Sequence, residues 1–315
     1  MIRMHVEIDL DYAANENCTF ILNVQPASTQ RQMIVEESLE LPPLAERVET
    51  STNEEKTRFV RFTAGPGPVS VRSRFVVDLD PRIDGTHDLY EWPASRLPME
   101  TLRYVHPSRY CESEKLMTFA VTQFGCMQPG YHRVAAICDW VRTNVAFRAG
   151  TTRWDTAASD ILCQREGVCR DFAHLMIALC RALNIPARFA TGIDYGADPQ
   201  LGPVDFHAYV EAFVGGRWYL FDPTGISPTT GLIRLGTGRD AADVAFATIF
   251  GSVISQPPRI AITAAESRET GIVLPWHTEQ AVSTADDLPV TGTDPQQAFH
   301  HRHARPLISH RLAWA

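Results

Sequence analysis

The sequence predicts an α+β protein: an N-terminal antiparallel β-sandwich followed by a core of helices packed on an antiparallel sheet. Three observations carry this. Through the first ~95 residues apolar and polar side chains alternate with a period of two, in short runs separated by turns. From there to about residue 184 the apolar residues recur at helical spacing instead. From Ala187 onward, β-branched and aromatic runs return around glycine turns. Helices followed by strands make an α+β core.

Taken in order, Val6, Ile8, Leu10 and Tyr12 alternate with Glu7, Asp9 and Asp11, and Phe20, Leu22 and Val24 repeat the pattern. Segments 59–62 and 71–79 supply further strands, with Gly65-Pro66-Gly67-Pro68 as a turn between them. Nothing in 1–95 has the makings of a reactive site, so it reads as a packing or substrate-positioning domain. Pro81, Pro93, Pro98 and Pro107 punctuate the connection, which puts a domain boundary near 95. Helical patterns run from Glu114 to Phe124 and from His132 to Phe147; in the second, Val134, Ile137, Cys138, Val141 and Val145 share a face, and Trp140 counts with the core. A third helix carries Phe172, Leu175, Met176, Leu179 and Leu183 on one face and ends near Asn184, before Pro186. Strands resume at 187–193. The second domain spans 96–275, and 276–315 reads as a flexible tail. Four of the eleven histidines (His300, His301, His303, His310) fall in that tail. They lack a cysteine or carboxylate at ligand spacing, which makes a solvated tail the reading over a metal site.

The formal net charge of −8 and the lack of a long basic run argue against a nucleic-acid partner. No run of apolar residues is long enough to span a membrane. Met1 to Glu7 leads straight into a strand pattern without a signal-peptide apolar region, and the seven cysteines are scattered and odd in number. Both point to reduced thiols in a cytoplasm. No CxxC pair, zinc-ligand spacing, DxDxDG loop or phosphate-binding glycine loop occurs, so neither a metal nor an organic cofactor is expected.

The chemistry concentrates at Cys169. A glycine-containing turn, Arg165-Glu166-Gly167-Val168, precedes it and the third helix follows, so Cys169 falls in a helix's first turn. There the macrodipole and free N–H groups favour a thiolate. Downstream, the run 205–224 reads as a β-hairpin around Gly215-Gly216. A two-residue turn there makes Val214 oppose Arg217 and Tyr209 oppose Asp222. His207 and Asp222 then share a face as diagonal neighbours, about 7 Å apart by Cβ. A one-residue slip would separate them. Cys169 as nucleophile, His207 as proton acceptor and Asp222 as the group orienting the imidazole make a triad. His174 is a structural histidine by its position off the cysteine's face, or else a rival base. Asp205 is a rival third member. Asp171 favours the positive end of the helix, and Tyr209 is expected beside the imidazole.

Gly167-Val168-Cys169-Arg170-Asp171-Phe172-Ala173-His174, Asn184-Ile185-Pro186-Ala187-Arg188, His207-Ala208-Tyr209-Val210-Glu211 and Asp222-Pro223-Thr224 resemble the bacterial transglutaminase-like proteins, often described as candidate cysteine proteases. Gly238 to Val244 and the region around Pro107 to Cys111 are similar too, so the resemblance covers roughly residues 1–265. It implies a papain-like, transglutaminase-like Cys-His-Asp core behind a family-specific β-domain. Tyr209 departs from the tryptophan common after His-Ala in that family, which leaves the triad intact. For the oxyanion hole, the backbone N–H of Cys169 is one donor. Gln164 is a second candidate by analogy with papain-like enzymes, and Trp154 by analogy with animal transglutaminases.

The expected activity is therefore acyl transfer from a carboxamide or peptide bond of a protein or peptide substrate through a thioester. Hydrolysis (protease or amidase) is favoured over cross-linking because water needs no second specific site. A non-catalytic peptide-binding module, an acyl-CoA-dependent N-acetyltransferase and a zinc protein are the alternatives.

Overall fold

The computed structural model describes residues 1–193, 195–196, 204–267 and 270–287. The tail histidines lie outside them. The N-terminal alternation forms β1 (Ile2–Ala14), β2 (Cys18–Leu22), β3 (Gln32–Glu40), β4 (Glu46–Thr52), β5 (Arg58–Ala64), β6 (Gly67–Leu79) and β7 (Arg82–Asp84). After the proline-rich connection come α1 (Met99–Leu102), α2 (Ser113–Phe124), α3 (Tyr131–Asn144), β8 (Ala146–Phe147), α4 (Ala158–Gln164), β9 (Glu166–Gly167) and α5 (Cys169–Ala182). The chain continues through β10 (Ala187–Ile193), β11 (Phe206–Val214), β12 (Arg217–Phe221), β13 (Ile233–Gly238), β14 (Ala247–Phe250), β15 (Val253–Ser255), β16 (Arg259–Ala265) and β17 (Ala281–Ser283).

Two antiparallel sheets form the sandwich. One has the order β15-β1-β6-β3, with β16 also on β1; the other has the order β14-β2-β5-β4. The period-two pattern of β1 explains its position. Met4, Val6, Ile8 and Leu10 are buried between the sheets, where Phe20 stacks on Phe62. Glu7, Asp9 and Asp11 point outward and pair with Arg72 and Arg74 of β6. Strands β14 to β16 come from the segment expected in the second domain, yet they pair with β1 and β2 of the sandwich. Their own alternation, with Ile249, Ile260 and Ile262 half-buried against that core, supplies the apolar face those edges require.

The second half is a six-stranded antiparallel sheet in the order β13-β10-β11-β12-β17-β7, with helices against it. β7 is drawn from the first 95 residues, and β17 from the stretch expected to be a flexible tail. Ala281 and Val282 are buried there against β12. The central helix α5 lies across β10 and β11, over Ala208, Val210 and Ala212, while α2, α3 and α4 pack on its other sides. Every residue from Asp171 to Ala182 is consequently buried. The helix expected to reach Phe147 stops at Asn144, because Ala146 and Phe147 pair in parallel with β9. Among the described residues no helix is long and apolar enough to cross a membrane.

Candidate active site

The start of α5 is held from three directions. β9 is clamped to β8, with Arg148 N–H donating to Gly167 O at 2.8 Å. Asp171 reaches back so that its Oδ2 accepts the Val168 N–H at 2.9 Å, and it also accepts the Thr152 hydroxyl. Gly167 is required at this point, since a Cβ there would lie 2.8 Å from Asp171 Oδ2. Asp171 N–H and Phe172 N–H both donate to Val168 O, so the helical ladder begins beyond Cys169. The N–H groups of Cys169 and Arg170 stay outside that ladder, at the positive end of the helix dipole. The Cys169 side chain is half-buried.

The hairpin has the expected register. Gly215 and Gly216 have φ of 58° and 81°, the left-handed pair a type I′ turn requires. Val214 opposes Arg217 and Val210 opposes Phe221. One step further along, Asp222 faces the level of Tyr209, and its Oδ1 lies 3.3 Å from His207 Nε2. Thr224 fixes the carboxylate: its backbone N–H and hydroxyl both donate to Asp222 Oδ1, at 2.9 and 2.6 Å. Ser227 N–H donates to Oδ2 at 3.1 Å. The Thr224 hydroxyl is also 3.5 Å from His207 Nε2. Tyr209 packs edge-on to the imidazole at 4.6 Å between ring centres.

Cys169 meets this pair at the start of β11. Its Sγ is 4.0 Å from Phe206 O, one residue before His207, and Cys169 favours the charged form of the His207 ring. With Nε2 turned to Asp222, the other ring nitrogen, Nδ1, is the one left to the thiol. Burial disfavours a charged imidazole here, but the Asp222 carboxylate and then Cys169 outweigh it and hold His207 well above the ordinary histidine range. Burial likewise works against an ionised Asp222, yet His207, Thr224 and Ser227 together keep its carboxyl below the usual value. Such a group can hold a proton on the imidazole at neutral pH.

Other residues singled out in the sequence stand elsewhere. Gln164 is exposed and donates its side-chain amide to Glu166 O at 2.9 Å, so the amide is turned to its own loop. The Trp154 residue is 73% exposed, and its carbonyl accepts the Tyr110 hydroxyl. His174 is fully buried, accepts the Ala241 N–H on Nε2 at 3.1 Å and stacks on Tyr110. Burial, with Arg170 and Arg181 nearby, keeps it well below the normal histidine range, as suits a neutral structural ring. Asp205 is exposed, and one carboxylate oxygen accepts the Phe206 N–H. Thr224, Ser227 and Thr152 were not foreseen. Thr224 had a local signal, because an aspartate two residues before a threonine favours an Asx-type turn. Thr152 and Ser227 arrive through loop packing and had none.

Residues 117–223 match the transglutaminase-like superfamily core, and residues 2–91 match the bacterial transglutaminase N-terminal domain. The crystal structure of a candidate cysteine protease from Cytophaga hutchinsonii superposes with a TM-score of 0.81 and is 37% identical, covering 90% of this chain and 97% of that one. An uncharacterised protein of Mycobacterium leprae is 37% identical over 117 residues, which span 36% of this chain and 42% of that protein. An uncharacterised Mycobacterium tuberculosis protein is 26% identical over 243 residues, 70% of this chain and 77% of the relative.

Proposed function

The chain belongs to the transglutaminase-like superfamily, and from that premise we propose that it is a cysteine-dependent acyl-transfer enzyme, with Cys169, His207 and Asp222 as its triad. The thiolate of Cys169 attacks the carbonyl carbon of a carboxamide or peptide bond, and the carbonyl π electrons move onto oxygen. The oxyanion is met by the Cys169 backbone N–H at the head of α5. The intermediate collapses and the C–N bond breaks. His207, charged until then, gives its proton to the departing nitrogen, leaving a thioester on Cys169. Water then attacks the thioester carbonyl as His207 takes its proton; the C–S bond breaks, the acid departs and the thiolate–imidazolium pair is restored.

The observation that carries this reading is the buried His207–Asp222 contact at 3.3 Å, with Cys169 Sγ 4.0 Å from the carbonyl of the residue before His207. The half-exposed Cys169 gives water access, which supports hydrolysis over cross-linking. The substrate on this reading is a protein or peptide. For Gln164 to add a second oxyanion donor, its amide has to leave Glu166 O.

The test is the pH dependence of iodoacetamide alkylation at each of the seven thiols, in the wild type and in His207→Ala. Cys169 should react far ahead of the rest, with an apparent pKa well below about 8.5 that rises in the variant. A Cys169 as slow as a buried thiol reduces the protein to a peptide-binding module on the same fold.

A further inference from the structure

The surface beside Cys169 is cationic although the chain as a whole carries a formal charge of −8. Arg170, next in sequence, holds its guanidinium 5.2 Å from the centre of the Tyr110 ring and donates to Arg153 O at 2.8 Å. Arg109 lies over the same ring at 5.1 Å. Tyr110 is an anchored hub. Its ring stacks on His174 of α5 at 5.0 Å and 15°. Its hydroxyl donates to Trp154 O at 2.9 Å, and its N–H to the buried Asp240 carboxylate at 3.0 Å. One buried tyrosine thus gathers two guanidinium groups and the 153–154 loop at the head of the nucleophile's helix.

The neighbouring carboxylates offset these charges only in part. Asp171 pairs with Arg170 at 3.4 Å through Oδ1 from the buried side, while its Oδ2 accepts the Val168 N–H and the Thr152 hydroxyl. Asp155 is 3.6 Å from Arg153, whose side chain is 77% exposed. Arg109 is exposed and has no carboxylate partner among the described residues. Trp154, next to Arg153 in the same loop, is exposed and adds a flat apolar surface.

Resting on the catalytic reading of Cys169, we infer that Arg109 and Arg170, held over Tyr110, and the exposed Arg153 of the adjoining loop form a shelf that receives the carboxylates of an acidic peptide substrate. Guanidinium groups match carboxylates in a two-pronged geometry, and those held over an aromatic ring lose little freedom on pairing. A short acidic segment fits the shelf, whereas a long polyanion would run onto the acidic remainder of the surface.

The experiment compares Cys169 alkylation by iodoacetate and by iodoacetamide, one anionic and one neutral, at low ionic strength. The wild type is set beside the double variants Arg109→Gln/Arg153→Gln and Arg109→Lys/Arg153→Lys. The ratio of the two rates should fall about threefold in the glutamine variant, as expected for the loss of two solvent-screened charges, and stay at the wild-type value in the lysine variant. Hexaglutamate should protect wild-type Cys169 from iodoacetamide, and hexalysine should not. An unchanged ratio in the glutamine variant, or equal protection by the two peptides, overturns the shelf. The nucleophile still stands in that case if Cys169 outpaces the other thiols with iodoacetamide. If it does not, the catalytic reading falls first and the shelf with it.

Discussion

His207 Nε2 lies 3.3 Å from Asp222 Oδ1, and both side chains are almost fully buried. Left to burial alone, the imidazole would be neutral. Asp222 and Cys169 reverse that, so His207 stays charged through neutral pH and gives up its proton only as pH rises through its raised value. The stability it contributes is complete below about 6.5 and is lost through that alkaline step, whereas Asp222's share is present above about 3.8 and lost as pH falls through its lowered value. In Asp222→Asn, burial becomes the dominant influence on His207. The acid limb of Cys169 alkylation should move to higher pH and the rate at pH 7 should drop roughly 10²-fold. A limb that stays in place would mean that the carboxylate does not govern the imidazole.

Thr224 is the residue that aims the carboxylate. Its hydroxyl donates to Asp222 Oδ1 at 2.6 Å and sits 3.5 Å from His207 Nε2, bridging the two groups. Thr224→Val keeps the shape and removes the donor. Alkylation of Cys169 at pH 7 should slow about tenfold with little change in melting temperature, and Thr224→Ser should restore it. Equal rates in the valine and serine variants would reduce Thr224 to a space-filler.

The sequence carried those parts of the site set by short-range rules. The helix after Gly167 and the Gly215-Gly216 turn are local signals, and the turn alone fixes the register that brings Asp222 to the face of His207. Gln164 was assigned by spacing to a homologous chemistry, but α4 ends at Arg165 in a left-handed turn, and the amide folds onto its own loop. The return of 247–265 to the sandwich was hidden because β14 to β16 are short, half-exposed strands, and only their partners β1 and β2 give them a place. Likewise β17 is three residues long, too short for periodicity to register.

Four residues along β11 from His207, Glu211 is buried between two arginines. Arg188 Nε donates to it at 2.7 Å, and Arg234 Nη1 at 3.0 Å. Burial resists ionisation, but both guanidinium groups pull its carboxyl down to about 2. A lowered carboxyl contributes stability above its unfolded value of about 4.5 and loses it as pH falls toward 2. Glu211→Gln should therefore flatten the acid limb of stability between those values. At pH 7 it should cost about 3–5 kcal/mol in denaturant unfolding, because two buried cations lose their counter-charge. An acid limb as steep as the wild type's would place the acid-sensitive groups elsewhere.

Gly192 opposes His207 in the β10–β11 ladder, and the pairing of β10 with β13 shifts register between Thr191 and Gly192. A Cβ at this position would lie 2.3 Å from Ile233 O and 2.4 Å from Leu232 Cδ1. Backbone cannot yield as a flexible side chain can, so β13 would have to retreat from β10 at the level of the imidazole. Gly192→Ala should cost about 2–3 kcal/mol and roughly 5 °C in melting temperature. It should also slow Cys169 alkylation, since β10, which is then strained against β13, is the strand that pairs with β11 at His207. Gly85→Ala, where nothing lies within 4 Å, is the control and should change neither quantity. If Gly192→Ala melts early but keeps the wild-type alkylation rate, the strand supports the fold without positioning the imidazole.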